Sequence, residues 1–63
     1  MAKGKWFTVA AKLDGVKVWR TARKRDAELF ASEANLEYVG GWCADRKAVE
    51  DLRDYLNAKE GEP

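Results

Sequence analysis

Residues 5–22, KWFTVAAKLDGVKVWRTA, decide the fold of this 63-residue chain, because two β-rich runs flank a turn signal there. Asp14-Gly15 is a preferred pair for a two-residue type I′ turn, in which both central positions take a positive φ. A two-residue turn fixes the register of the strands, and we predict an antiparallel hairpin over residues 5–22. The predicted cross-strand pairs are Leu13 with Val16, Ala11 with Val18, Val9 with Arg20 and Phe7 with Ala22.

Alternation of side chains along a strand divides this hairpin into two faces. The face of the four predicted pairs is apolar except for Arg20, so we predict that it lies on the core. The two tryptophans of the hairpin must then point away from that core. Two structural alternatives stay open for them, mutual support diagonally across the hairpin or cover by a returning helix. The second face carries Trp6, Thr8, Ala10, Lys12, Lys17, Trp19, Thr21 and Arg23.

After the hairpin, the apolar period changes from two residues to three or four. This period predicts a helix over about residues 23–36 with Phe30 in the core. The start of the helix is open. If Thr21 is the N-cap, the cations Arg23, Lys24 and Arg25 occupy the first turn of the helix. If the helix starts near Arg25, these basic residues form a connecting loop, and Asp26 and Glu28 complement the helix dipole. The residues that recur at helical spacing are Ala27, Phe30, Ala31 and Ala34.

The remaining sequence contains one ambiguous segment and a second helix. Residues 37–44 combine β-forming residues with two glycines, which indicates a short third strand or an extended crossing. Asp45 is a suitable N-cap for a helix over residues 45–59, with Leu52 in the core and Gly61 at its end. Its apolar stripe consists of Ala48, Val49, Leu52, Tyr55 and Leu56.

These elements predict a single domain over residues 1–63, of the α+β class. A hairpin alone is marginal in water, but helices can cover its apolar face. We therefore expect a small two-layer ββα(β)α domain, an N-terminal β-hairpin packed against two helices. Without the third strand it would be a plain ββαα arrangement.

The net charge of +1 hides a strong asymmetry between the two parts of the chain. Residues 1–25 contain eight cations and one carboxylate, whereas residues 26–63 contain four cations and ten carboxylates. Such a division indicates either an anionic partner for the basic part or mutual attraction of the two parts within the fold.

The composition argues against catalysis. The chain has no histidine, which removes imidazole as a proton shuttle, as an activator of a nucleophile and as a metal ligand. The densest carboxylate group, Glu50, Asp51 and Asp54, spreads around the outer face of the second predicted helix. We expect Cys43 to be a half-buried hydrophobic residue. The sequence thus predicts a protein that is not an enzyme, with no catalytic or metal-binding residue, no cofactor and no small-molecule substrate.

The N-terminal sequence, the length of the apolar runs and the number of cysteines indicate the cellular location of the protein. The N-terminus lacks the apolar stretch of a signal peptide, and no run approaches the length of a membrane span. One cysteine excludes an intramolecular disulfide. We therefore expect a cytoplasmic protein without a membrane partner.

The chemistry that remains predicts nucleic-acid binding, most simply to DNA. Cations neutralise phosphates, and an exposed indole can stack on a base. A two-stranded ribbon also fits the major groove of DNA, and a helix N-terminus can hold a phosphate together with basic side chains. The candidate nucleic-acid-binding residues are Lys12, Lys17, Trp19, Arg23, Lys24 and Arg25.

Lys5-Trp6, the turn Asp14-Gly15-Val16-Lys17, and the run Thr21…Asp26-Ala27-Glu28…Phe30-Ala31 carry a resemblance to a known family. Over residues 4–34 the chain resembles the N-terminal arm-type DNA-binding domain of phage integrases. The resemblance implies a DNA-facing sheet that includes Lys17, Trp19 and Arg23. In that family a third strand precedes the helix, whereas the helix predicted here comes first.

Two alternatives to nucleic-acid binding remain at the level of the sequence. The hairpin–helix–strand pattern is similar to small phage proteins that bind and inhibit host enzymes such as RNA polymerase. This similarity implies a protein-interaction module that docks on a host protein. One feature separates the two functions: a nucleic-acid binder should expose the basic part of the chain, whereas a protein-binding module could use the acidic second helix as its main contact. The other alternative is self-association, with the tryptophan-bearing face of the hairpin as the interface.

Overall fold

The computed structural model describes residues 3–60, which form a three-stranded antiparallel sheet and one α-helix. The sheet order is β1-β2-β3, so β2 is the central strand. The helix packs on one face of the sheet, against β1 and β2, which confirms the α+β class. The bounds are β1 Phe7–Leu13, β2 Val16–Lys24, β3 Leu36–Cys43 and α1 Arg46–Glu60, with a 3-10 turn at Glu33–Asn35 before β3.

The hairpin of β1 and β2 has the predicted turn and the predicted register. Asp14 and Gly15 both take positive φ, at 50° and 79°, as a type I′ turn requires. Leu13 pairs with Val16, and the pairing continues without a shift to Phe7 and Ala22. The turn pair alone was sufficient to predict this register.

Residues 37–43 of the segment 37–44, for which the sequence offered a strand or an extended crossing, belong to the strand β3. Tyr38 pairs with Ala22 and Val39 with Thr21, after which β3 bulges outward by two residues before Cys43 pairs with Trp19. Gly40 lies in this bulge with φ of 72°. A Cβ atom at Gly40 would lie 3.9 Å from a methyl group of Leu52, an ordinary van der Waals distance, so it is the positive φ and not a lack of space that favours glycine here.

The predicted helix over about residues 23–36 is wrong. Arg23 and Lys24 continue β2, because they pair with Glu37 and Leu36 of β3. Long-range pairing therefore overrides the local helical period, which rested mainly on alanines with little surface to bury. Phe30, predicted in the core, is 90% exposed.

In place of that helix, residues 25–32 form a loop that Asn35 holds together. The Asn35 side chain is buried, and its amide donates to the carbonyls of Asp26 and Phe30 at 2.9 and 2.8 Å. Its Oδ1 accepts from the Asp26 N–H at 3.1 Å, and its backbone carbonyl accepts from Arg25 N at 2.7 Å. Side-chain hydrogen bonds to the backbone thus replace the helical ladder.

The helix α1 covers the face of the hairpin that we predicted to be outward, so the predicted assignment of the core face is wrong. Trp6 is 8% exposed beneath α1, and its backbone exchanges two hydrogen bonds with the Asn57 side chain. The buried Thr21 hydroxyl donates to the Val49 carbonyl at 3.2 Å. The open alternative for Trp6, cover by a returning helix, is therefore confirmed. Both faces of the hairpin carry apolar area, and the hairpin alone does not determine which of them the helix selects.

The predicted helix over residues 45–59 is confirmed as α1. Asp45 caps it, with Oδ1 accepting from the N–H groups of Lys47 and Ala48 at 3.1 and 3.4 Å. Within the predicted stripe, Val49 is buried and Leu52 is half-buried, but Tyr55 is 59% exposed. The predicted end at Gly61 lies outside the described residues.

Candidate nucleic-acid interface

The face of the sheet opposite α1 carries no second layer among residues 3–60, because the one described α-helix lies on the other side. We call this surface the open face. The Cα atoms span 38 × 24 × 12 Å, a thickness that fits one sheet and one helix. By alternation and pairing, the open face consists of Phe7, Val9, Ala11, Leu13, Val16, Val18, Arg20, Ala22, Lys24, Leu36, Tyr38 and Trp42.

An arginine between two aromatic rings lies at the centre of the open face. The Arg20 guanidinium carbon is 4.5 Å from the centroid of the Tyr38 ring and 5.9 Å from that of Trp42. Arg20 Nε also donates to the Gly40 carbonyl at 2.8 Å. The bulge of β3 thus orients the arginine and shifts Trp42 along the strand to a position beside it. Because the bulge adds an even number of residues, Trp42 keeps the same face as Tyr38.

Much of the apolar area of the open face is accessible to solvent. Leu13, Val16 and Trp42 are 48%, 53% and 39% exposed, and Tyr38 is half-buried. The buried residues of this face are small ones of the central strand, such as Ala22, which lies between larger cross-strand neighbours. A large exposed apolar surface of this kind is typical of a binding site.

The charges of the sheet are strongly one-sided. The three strands carry five cations and a single carboxylate, that of Glu37. Glu37 pairs with Arg23 across the strands and therefore lies on the side of α1. The open face itself carries Arg20 and Lys24 and no carboxylate, an arrangement that favours an anionic ligand.

On the covered face, a second arginine is neutralised inside the protein. Arg23 lies 4.3 Å from the Trp6 ring centroid, and its guanidinium donates to Glu37 and, at 2.6 Å, to Glu60. The hydrogen bond from Arg23 lowers the pKa of Glu37, against the opposing effect of burial. Burial alone would lower the pKa of Arg23, but the two carboxylates raise it. This cluster joins the end of α1 to the sheet.

The structure separates the six predicted nucleic-acid-binding residues into four places. Lys12 and Lys17 pair at the exposed tip of the hairpin, and Lys17 Nζ lies 5.7 Å from the ring centroid of the half-buried Trp19, on the side of α1. Lys24 lies on the open face. The remaining two residues are the internally paired Arg23 and the exposed loop residue Arg25, which donates to the Ala34 carbonyl at 3.0 Å. Their role in binding stays a prediction.

Three residues of the candidate interface escaped sequence reasoning, namely Arg20, Tyr38 and Trp42. The signal for Arg20 was present, because it is the one charged residue among the four predicted pairs of the hairpin. A lone cation on an otherwise apolar strand face is costly in a core and acceptable on an open surface. Tyr38 and Trp42 could not be assigned to a face without the register of β3.

Comparisons with known proteins identify no relative of this chain. No protein-family model, curated protein or solved structure matches it. Among residues 3–60, no group of three or more carboxylate or cysteine side chains is placed to hold a metal ion. Within the same range, the helix is too short and too polar to cross a membrane.

Proposed function

We propose that this protein binds nucleic acid through the open face of its sheet, without catalysing a reaction. The observation that carries the proposal is the combination on one surface of exposed aromatic and apolar side chains, two cations and no carboxylate. Phosphates are attracted by the cations, and bases pack against the rings.

The distribution of charge over the whole molecule supports this orientation. The cations of α1 are matched by carboxylates, as in the pairs Arg46–Glu50 at 3.4 Å and Lys47–Asp51 at 4.0 Å. Positive charge is therefore concentrated on the sheet, and the pair Lys12–Lys17 extends it to the tip of the hairpin. An approaching polyanion is steered toward the sheet and away from the outer surface of α1.

The order of elements agrees with one resemblance found in the sequence. The third strand precedes the helix, the order that the integrase arm-type family has, but β3 and α1 lie outside residues 4–34, which carry the resemblance. The run Asp26–Ala31, which the resemblance places at the start of a helix, lies in a loop, so the choice of DNA rests on the chemistry of the open face and not on the resemblance.

A salt titration with a matched pair of lysines tests the proposal. Labelled DNA is titrated with wild type, Lys24→Gln and Lys47→Gln at several salt concentrations, with fluorescence anisotropy as the readout. Lys24→Gln should reduce the slope of log affinity against log salt by about 0.7–0.9, the contribution of one phosphate contact. Lys47, on the outer surface of α1 with 84% of its side chain exposed, serves as the control and should leave the slope unchanged. Absence of salt-dependent binding by wild type to any nucleic acid would reject the proposal.

A protein-binding function is the second candidate, favoured by the loop of residues 25–32. Phe30 is 90% exposed and Leu29 is 55% exposed, in a loop that the hydrogen bonds of Asn35 hold in place. The segment 25–35 carries three carboxylates and one cation, which disfavours contact with a polyanion. The fitting partner is a protein with an apolar pocket and a basic rim, such as a host enzyme.

The two candidate functions involve different side chains and can be separated by mutation. Phe30→Ser should leave both the fold and nucleic-acid affinity unchanged, because the ring is almost fully exposed and lies outside the open face. If a protein is recovered from lysate with wild type after nuclease treatment and is lost with Phe30→Ser, the second candidate gains support. Equal recovery with both would count against the loop as the contact.

A further inference from the structure

We infer that the ligand of the open face is single-stranded DNA, whose bases stack on Trp42 and Tyr38. The inference rests on the proposed function and specifies its ligand. Three properties of the open face carry it, namely the scarcity of hydrogen-bonding groups, the arrangement of the aromatic rings around Arg20, and the apolar strands beside them.

The open face has few groups that could read the edges of paired bases. Thr8 and Thr21 lie on the side of α1, and no serine, asparagine or glutamine occurs in the three strands. The long polar side chains of the open face are Arg20 and Lys24, and Arg20 is held against Tyr38 with its Nε on a backbone carbonyl. A duplex groove packed on this surface would lose water from its base edges without receiving partners in return.

Unpaired bases offer their flat faces, which this surface can accommodate. Trp42 is 39% exposed and Tyr38 is half-buried, and the Arg20 guanidinium carbon lies close to both ring centroids, at 4.5 Å from Tyr38 and 5.9 Å from Trp42. Arginine fixed beside an aromatic ring adds a planar cation next to the stacking surface. Because every base has a π-face, this contact does not depend on sequence, and Lys24 supplies a cation for the backbone.

The apolar strands favour DNA over RNA. Leu13 and Val16 are about half exposed at one end of the open face, and between them and the aromatic cluster the β1 and β2 residues are alanine and valine. A ribose 2′-hydroxyl placed on these residues would lose its water without gaining a hydrogen bond. Deoxyribose presents only carbon and hydrogen at that position.

The test compares three probes and two tryptophans on opposite faces. The probes are a dT oligomer of about 12 nucleotides, the same oligomer paired with dA, and an rU oligomer of equal length. This length lies within the range of about 4–16 nucleotides that single-strand-binding OB-fold domains cover. Wild type should bind dT more tightly than the duplex and more tightly than rU. Trp42→Ala should weaken dT binding by about fivefold to 150-fold, as expected for the loss of one stacked base. Trp19→Ala, on the side of α1, removes the tryptophan that the sequence predicts at the interface, and the inference expects it to leave the affinity within about twofold.

A pair of carboxylate variants keeps the test valid if Trp42→Ala fails to fold. Val16→Glu places a negative charge on the open face at a residue that is 53% exposed, and Ala10→Glu places one at an exposed residue of the opposite face. Val16→Glu should weaken dT binding at low salt and Ala10→Glu should have the smaller effect. Thermal unfolding of each variant verifies the fold.

The outcomes separate the inference from the proposed function. Equal or tighter binding of the duplex would overturn the inference and leave nucleic-acid binding in place, and so would equal or tighter binding of rU. If Trp42→Ala binds dT like wild type, or if Trp19→Ala and Ala10→Glu cause the larger losses, the open face is not the site. If no probe binds, the proposed function fails together with the inference.

Discussion

The two faces of the sheet use the same contact, an arginine beside an aromatic ring, in opposite ways. On the face under α1, Arg23 lies 4.3 Å from the Trp6 ring; on the open face, Arg20 lies 4.5 Å from the Tyr38 ring. The two arginines differ in the hydrogen-bond acceptors that their guanidinium groups contact. Arg23 donates to the carboxylates of Glu37 and Glu60, whereas Arg20 donates to the neutral carbonyl of Gly40.

This difference shows why one arginine serves stability and the other remains available to a ligand. A guanidinium with two carboxylates is neutralised and fixed, and its removal takes a charge-assisted hydrogen bond from each carboxylate. A guanidinium with one carbonyl keeps its full charge at the surface. We therefore expect substitutions of the covered face to change the free energy of unfolding, and matched substitutions of the open face to change mainly ligand affinity.

Replacing one tryptophan on each face by alanine should give the largest difference in the free energy of unfolding. Trp6→Ala removes a buried indole and should cost about 3–5 kcal/mol, as much as the whole stability expected for so small a domain. Trp42→Ala removes a ring that is 39% exposed and should leave a cooperative unfolding transition. Urea unfolding followed by circular dichroism measures both. A folded Trp6→Ala with a midpoint near that of wild type would contradict the assignment of the covered face.

Replacing one arginine on each face by methionine should give a smaller difference in the free energy of unfolding. Arg23→Met keeps most of the aliphatic stem but removes hydrogen bonds to two carboxylates, and should cost about 1.5–3 kcal/mol. Arg20→Met removes a half-buried group that donates to a backbone carbonyl and, among the described residues, has no carboxylate partner, so it should cost less, about 1 kcal/mol. The urea midpoints of the two variants measure these costs. A similar loss of stability at both positions would mean that the arginines of the two faces contribute equally to folding.

The smallest expected effect is the difference between wild type and Glu37→Gln in how much stability is lost at acid pH. The pKa of Glu37 is lowered by Arg23 in the folded state, so its contribution is complete above the ordinary glutamate pKa of about 4.3 and is lost as the pH falls through the folded value. Wild type should therefore lose more stability than Glu37→Gln between about pH 6 and pH 3. Asp51→Asn, at an exposed pair on α1, is the control and should retain more of the wild-type acid response. Parallel stability curves for wild type and Glu37→Gln would argue against the Arg23–Glu37 pair as a source of stability.

The failed prediction of a helix near residues 23–36 has the same physical origin as the mistaken choice of core face. Both depended on partners that are distant in the chain. Residues 23 and 24 become strand because β3 offers them hydrogen bonds, and Phe30 then lies in the loop between β2 and β3. The lone charge of Arg20 on an apolar strand face was the one local sign that this face would be open.

The sequence by itself determined the elements whose signals are local. Asp14-Gly15 fixed the turn and with it every pair of β1 and β2, and Asp45 with the stripe around Val49 fixed α1. Only the tertiary structure decided which face α1 covers, where β2 ends, and which aromatic residues share a surface with Arg20. Turns and caps depend on neighbouring residues. These three outcomes depend on the pairing of β3 with residues 12 to 24 positions away and on contacts of α1 with residues 28 to 51 positions away.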